Sequence, residues 1–205
     1  MAWLAFTLYT VGLGVVFGLR TWLHYRATGD TGHRHAVPGS AREWLAHGLL
    51  VLGVLVGLVA PLLAAVGVLA PVVALDVPVV AVTGLVVAVA GFTGVLGAQS
   101  AMGRSWRVGV DPQERTELVT GGIFGVVRNP VFSAMIVAGI GLTAMMPTWA
   151  QLLALAMLVA GIQLQVRAVE EPYLATAHGA AYSAYVCRVG RFVPGVGTLP
   201  AARHV

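Results

Sequence analysis

The segment 118–132 reads LVTGGIFGVVRNPVF, and the last long apolar run of the chain ends on Glu170-Glu171. Asparagine followed by proline is a helix-start signal, with Asn129 as cap and Pro130 in the first turn. The same start presents free backbone N–H groups and a positive dipole end, which suit a carboxylate or phosphate. Arg128 beside it adds a guanidinium able to grip an anion with two donors. A plain cap and an anion or cofactor site are both consistent with these residues. The glutamates pose the opposite problem, since acids at a helix C-terminus oppose its dipole. Pro172 can start a new helix capped by Glu171. The other carboxylate then needs a cation, either Arg167 one turn back or a ligand ammonium or sulfonium.

These groups stand in a chain that has few others. Of 205 residues, 58% are hydrophobic and 10% charged, with a mean hydropathy of +0.87. Soluble domains carry roughly 25% charged residues, so the composition is that of a membrane protein. The sequence predicts an all-α, polytopic fold. Apolar runs mark five spans: Trp3–Leu23, Trp44–Leu69, Val77–Met102, Pro130–Met146, and a fifth ending near Val169. The fourth and fifth form a hairpin about Pro147-Thr148, and the fourth is short for a ~30 Å hydrocarbon core. Residues 172–186 read as a C-terminal cytoplasmic interfacial helix, with Leu174, Ala177, Ala181 and Tyr185 on one stripe. The first run starts at residue 2 without a basic segment before it, so it reads as a span and not as a cleavable signal.

All 12 basic residues are arginine, and with five spans all fall on one side. Arg20, Arg26, Arg34 and Arg42 flank the first loop, and Arg104, Arg107, Arg115 and Arg128 lie after the third span. Arg167, Arg188, Arg191 and Arg203 follow the fifth. The positive-inside rule then puts the N-terminus outside and the C-terminus in the cytoplasm of a bacterial-type inner membrane. The pI near 9.8 belongs to membrane edges and anionic lipid, with no nucleic-acid partner.

Gly14/Gly18, Gly53/Gly57 and Ala90/Gly94 have helix-contact spacing, suited to packing within the chain or to a helix-mediated homo-oligomer. Pro61 is expected to kink the second span. Gly121-Gly122 is either a turn or a place for close backbone approach to a ligand. Trp106-Arg107 reads first as an interfacial aromatic with a lipid-facing arginine. His33 and His35 lack the acidic or cysteine partners of a metal site, and Cys187 alone forms no internal disulfide. No metal is expected.

Taken in order, these pieces resemble the isoprenylcysteine carboxyl methyltransferase and phospholipid N-methyltransferase superfamily of integral-membrane enzymes. The matching residues are Leu118-Val119, Gly122-Ile123-Phe124, Arg128-Asn129-Pro130-Val131-Phe132, Glu170-Glu171, Gly179 with Tyr182 and Tyr185, and Arg191-Phe192-Val193-Pro194. They cover residues 97–194 and divide the single membrane domain into a three-span scaffold, 1–96, and a cofactor-binding half, 97–194.

The resemblance implies S-adenosylmethionine as cofactor, a lipid-like acceptor in the bilayer, and Arg128, Asn129 and Glu170 in catalysis. The cofactor site would comprise Val119, Gly121, Gly122, Phe124, Arg128, Asn129, Pro130, Phe132, Glu170, Glu171, Tyr182 and Tyr185. Trp106 and Arg107 would meet the substrate. Asn129 stands where the carboxyl methyltransferases carry histidine, and Phe124 and Phe132 stand where tyrosines are usual. The Asn-Pro pair and Gly91-Phe92-Thr93-Gly94 resemble the phospholipid branch. Two other readings compete with methyl transfer: a small non-catalytic transporter or lipid-binding protein on the same scaffold, and an NADPH-dependent enzyme similar to the sterol reductases.

Overall fold

The computed structural model describes residues 1–33, 39–106 and 117–199, and helices dominate them. α1 (Ala2–Leu13) and α2 (Arg20–Thr28) form one rod, joined by a π-helical turn at Gly14–Leu19. α3 spans Ala41–Ala65, α4 Pro78–Ala101, α5 Pro130–Met145 and α6 Trp149–Gln165. A second π-helical turn, Val166–Glu170, carries α6 into α7, Glu171–Val186.

Four of these rods are long and apolar enough to cross a membrane: Ala2–Thr28, Ala41–Ala65, Pro78–Ala101 and Trp149–Val186. α5, with 16 residues, is shorter, at about 24 Å against a hydrocarbon core of about 30 Å. Their outer surfaces are apolar, with Val79 74% and Trp149 75% exposed. Water would penalise such a surface and lipid does not.

Local signals set the helix starts. Ser40 Oγ accepts from the Glu43 N–H at 3.3 Å, while Glu43 Oε2 accepts from the Gly39 N–H at 2.9 Å. That reciprocal pair is a variant of the capping box in which the carboxylate reaches one residue before the cap. Pro78 and Pro130 occupy the first turns of α4 and α5, where the missing N–H costs nothing. α3 runs through Pro61 and ends at Ala65, so that proline sits within its last turns.

The expected hairpin forms, yet its arms find their main partners elsewhere. α5 packs chiefly on α4, and α6 on α3. Glycine governs both pairs. A Cβ on Gly91 would overlap the Ala138 backbone, and one on Gly141 the Ala88 backbone. On the other pair, a Cβ on Gly53 would lie 2.8 Å from Leu158 N, and one on Gly161 2.8 Å from Leu50 N. Backbones this close gain dispersion contacts that larger side chains would deny, the main attraction available between helices in lipid. The expected contact stripes are corrected in part. Gly53/Gly57 is a true contact face, but Gly14 and Gly18 meet nothing within 4 Å and lie in the π-helical turn. On α4 the packed stripe is Gly84, Ala88, Gly91, Val95 and Ala98, while Ala90 is exposed.

The 146–148 turn meets the 70–77 connection, where Val72 N–H donates to Pro147 O at 2.8 Å. The box and the glutamate pair therefore lie at the opposite end of the bundle. Gly141→Val should fail to fold, or lose at least about 3 kcal/mol of stability, as expected for overpacking against backbone. Gly14→Ala should leave the melting temperature in detergent unchanged, and thermal denaturation of the two variants checks both outcomes.

Candidate functional site

Glu171 is the hub of the charged end. Its Oε1 accepts from Arg128 at 2.8 Å and from Arg191 Nε at 2.7 Å, and its Oε2 accepts from the Arg191 terminal nitrogen at 2.9 Å. The Arg128 side chain is 2% exposed and that of Glu171 14%. Arg128 also donates to Val186 O at 3.2 Å, Val189 O at 2.7 Å and Gly197 O at 3.1 Å. Its positive charge thus sits at the C-terminal carbonyls of α7, where the helix dipole favours a cation.

These bonds revise two sequence expectations. All four terminal guanidinium hydrogens of Arg128 are engaged by protein acceptors, and its Nε is buried without a partner. Arg128 therefore has no pair of donors left for a ligand carboxylate; its visible role is to tie three segments together. Asn129 occupies the cap position but makes no side-chain cap bond. Its Nδ2 donates instead to Arg191 O at 3.1 Å. The first-turn N–H groups of α5 are consequently not capped by this side chain.

The segment 188–199 wraps back over the box. Arg128 N–H donates to Gly190 O at 2.8 Å, Asn129 N–H to Arg191 O at 3.1 Å, and Ser133 Oγ to Phe192 O at 2.7 Å. Tyr185 donates its hydroxyl hydrogen to Phe124 O. Gly122 begins a short 3₁₀ turn with φ 58, a left-handed conformation that favours glycine. Gly179, at φ 49 and ψ −120, kinks α7. Beyond the kink, Tyr182, Tyr185, Val186 and Val189 pack together with Leu118 and Leu174.

A cavity of about 910 Å³ opens between these elements and the N-terminal helices. Of the expected site residues, Trp106, Val119, Phe124, Arg128, Asn129, Pro130, Phe132, Glu170, Glu171, Tyr182 and Tyr185 line it. Gly121 and Gly122 do not; they shape the turn before Phe124. Arg107 lies outside the described residues. Trp106 is 2% exposed, so it is no interfacial aromatic. It is held under the Arg20 guanidinium at 4.7 Å and against the His24 ring at 5.1 Å. Arg20 also donates to Gln99 O at 3.3 Å and Gly103 O at 3.4 Å, capping the end of α4.

Glu170 reaches the wall through the π-helical turn. In a plain α-helix, five residues rotate a side chain by about 140° away from its starting face. The wider turn at Val166–Glu170 reduces that rotation and sets Gln165, Val169, Glu170 and Glu171 all on the cavity. Glu170 is itself engaged by its surroundings, and Arg167 pairs with Gln163 at 3.0 Å. The π-turn has no obvious sequence signature. Nor did the sequence assign a role to Phe17, Glu43, Trp44, His47, Gln99 or Gln165, which also line the cavity; pairing of α3 with α6 and α4 with α5 brings them in.

The cavity wall carries Glu43, His47, Glu117, Glu170, Glu171 and Arg128 together with the apolar Leu13, Phe17, Leu50, Val54, Leu55 and Met135. A smaller hollow of about 40 Å³ shares Leu13, Phe17, Val54 and Met135 with it and continues the apolar part between the helices. Such a space accepts a molecule with one polar and one apolar end. Fold and site thus define a helical, membrane-type protein with an amphipathic chamber at one end of the bundle. Residues 79–181 match the phospholipid methyltransferase family. That stretch is half of the chain, and the protein belongs to this family, which places it among membrane methyltransferases of lipid-like substrates. No curated protein and no solved structure matches the chain.

Breaking the hub should be costly whatever the ligand. Arg128→Lys removes the forked geometry and should destabilise the protein by about 3 kcal/mol, since it leaves a largely buried carboxylate and several carbonyls short of donors. Thermal denaturation in detergent measures this. A melting temperature equal to that of the parent would show that the hub holds nothing together.

Proposed function

We propose that the chain is an integral-membrane methyltransferase that uses S-adenosylmethionine and acts on a lipid-like acceptor, with the 910 Å³ cavity as the transfer site. The observation that carries this reading is convergence. Two polar clusters far apart in sequence, Phe124–Phe132 and Glu170–Glu171, meet on one amphipathic cavity in a chain of the phospholipid methyltransferase family.

The residues present suit the cofactor's chemistry. The first turn of α5, without a side-chain cap, is the natural seat for the methionine carboxylate. Glu170 answers the ammonium, and the rings of Phe124 and Tyr182 offer flat apolar faces to the adenosine. Arg128 and Glu171 act one step back, by fixing the start of α5 and the start of α7. When bound, the cofactor supplies a methyl group already activated on a cationic sulfur. The protein's part is then mostly to position and desolvate the acceptor beside it.

We place the charged end on the cytoplasmic side, where a soluble cofactor reaches it, and the N-terminus outside. α5 serves as a fifth, short crossing element, and its length of 16 residues leaves room for the chamber at its start. The 38-residue rod Trp149–Val186 would extend about 57 Å if straight, nearly twice a hydrocarbon core. Its second half, α7, therefore leaves the hydrocarbon and lies at the cytoplasmic interface.

Calorimetric titration in detergent with S-adenosylhomocysteine tests the reading. The parent protein should bind it, NADPH should not compete, and absence of S-adenosylhomocysteine binding would sink the proposal. Glu170→Gln should weaken binding at least about tenfold, the loss expected for a charge-assisted bond, with a smaller loss of melting temperature than Glu171→Gln. Glu171→Gln should lower both. Labelled methyl transfer into a host lipid extract then identifies the acceptor.

A further inference from the structure

The small hollow of about 40 Å³ lies deeper in the bundle than the cavity, and it does so on every helix that lines both. Its deepest residues are Tyr9 on α1, Gly57 on α3, Phe92 on α4, Leu142 on α5 and Gln151 on α6. The residues that those helices give to the cavity all lie nearer the charged end. Leu13, Phe17, Val54 and Met135 line both spaces and form the neck between them. Cavity and hollow are thus two stretches of one passage that runs down the axis of the bundle.

The passage has a floor. Tyr9 crosses it from α1 to α3, with its hydroxyl donating to Val54 O at 3.2 Å and its ring 6.4 Å from that of Phe92. Gly57 makes room for that phenol, since a Cβ there would lie 3.2 Å from the Tyr9 oxygen. Beyond it, Tyr9 and Leu142 belong to a packed cluster with Ala5, Ala88, Met145 and Met146, and close-packed side chains give no further way.

The dimensions suit one hydrocarbon chain. From Glu43 to Gly57 on α3, and from Gln165 to Gln151 on α6, the helical rise of about 1.5 Å per residue gives a depth of ~21 Å. An extended chain of single bonds advances ~1.2 Å per bond, as the ~3.5 Å span of a three-bond peptide unit shows. A chain of about sixteen carbons therefore reaches from the mouth to the floor. The hollow itself holds about three water-sized groups, which is room for the end of one linear chain and not for a ring or a branched end. The wider cavity of about 910 Å³ takes the rest of the molecule.

We propose that the hollow seats the terminal methylenes of one unbranched chain of the acceptor, and that Tyr9, with Leu142 behind it, is the floor that sets the chain's length. That the chain belongs to the methyl acceptor rests on the methyltransferase reading above. The seat itself is measurable without turnover.

The full chain is held in amphipol, and lysophosphatidylethanolamines with a graded series of saturated acyl chains displace a fluorescent lipid of the same head group. Relative affinity should rise about fourfold per methylene at short lengths, break near ~sixteen carbons and rise no further. Partition onto an apolar outer surface has no such break. Tyr9→Leu should move the break outward by about two carbons, because it removes ring atoms from the floor. Val54→Phe fills the neck and should move it inward by at least about four carbons, the distance from neck to floor. A methyl-branched chain should bind at least about tenfold more weakly than the linear chain of equal carbon number, as overpacking demands.

A rise without a break, a break unmoved in both variants, or equal binding of branched and linear chains overturns the proposal. Should the variants misfold, a probe with a photoreactive terminal carbon decides on the parent protein alone. It should label the segments holding Tyr9, Leu142 or Gln151, and an excess of the unlabelled sixteen-carbon probe should suppress that labelling. Labelling confined to the outer helix faces sinks the seat. If S-adenosylhomocysteine does not bind while the break persists, the methyltransferase reading fails and the chain seat stands. If it binds and no break is seen, the seat fails and the methyltransferase reading stands.

Discussion

The Arg128–Glu171–Arg191 cluster is the constraint on which the charged end depends. Charges in a mostly buried, low-dielectric setting are tolerable when each finds several partners, and here one carboxylate receives two guanidinium groups. Arg128 continues outward to the carbonyls of Val186, Val189 and Gly197. The start of α5, the start of α7 and the closing segment 188–199 are therefore fixed relative to one another by one connected network. The cluster belongs to the frame of the cavity more than to its contents. That arrangement leaves Glu170, the adjacent acid, as the one whose placement on the wall the π-helical turn determines.

Room for the chamber comes from how the hairpin is packed. If α5 and α6 had packed mainly on each other, the feet of the hairpin would have closed together. Instead the glycine contacts draw α5 onto α4 and α6 onto α3. The arms touch near their turn, where Gly139 meets Leu155 and Leu158, and the cavity occupies the space toward their other ends. Small residues in the apolar core thus act on function indirectly, by deciding which helix pairs approach closely and which stay apart.

Much of this was legible in the sequence because composition and charge placement are properties of whole segments. The apolar runs marked the helices within a few residues, and the short length of Pro130–Met145 was visible in the pattern. The convergence of the box with Glu170 and Glu171 followed from their order along a hairpin. What sequence did not disclose were choices among partners. Asn129 carries every local sign of a cap, yet Arg191 O is a competing acceptor supplied by a distant segment. Trp106 next to an arginine suggests an interface, but the Arg20 and His24 side chains enclose it. Arg128 leaves an anion site and a plain helix start both open in the sequence, because its four carbonyl and carboxylate acceptors come from residues 171–197, which no local pattern connects to it.

The aromatic positions of the box bear on what kind of acceptor the chamber fits. In the pattern this chain resembles, the positions of Phe124 and Phe132 carry tyrosine, and both rings here line the cavity. Losing two hydroxyls removes two polar groups from a wall that also faces Phe17, Met135 and Leu13. Tyr185, which retains its hydroxyl, directs it to Phe124 O instead of into the chamber. The wall beside the box is thus more apolar than in the resembled pattern, and polar groups reach the chamber from other helices instead, with Glu43 and His47 on α3, Gln99 on α4 and Glu170 at the end of the π-helical turn.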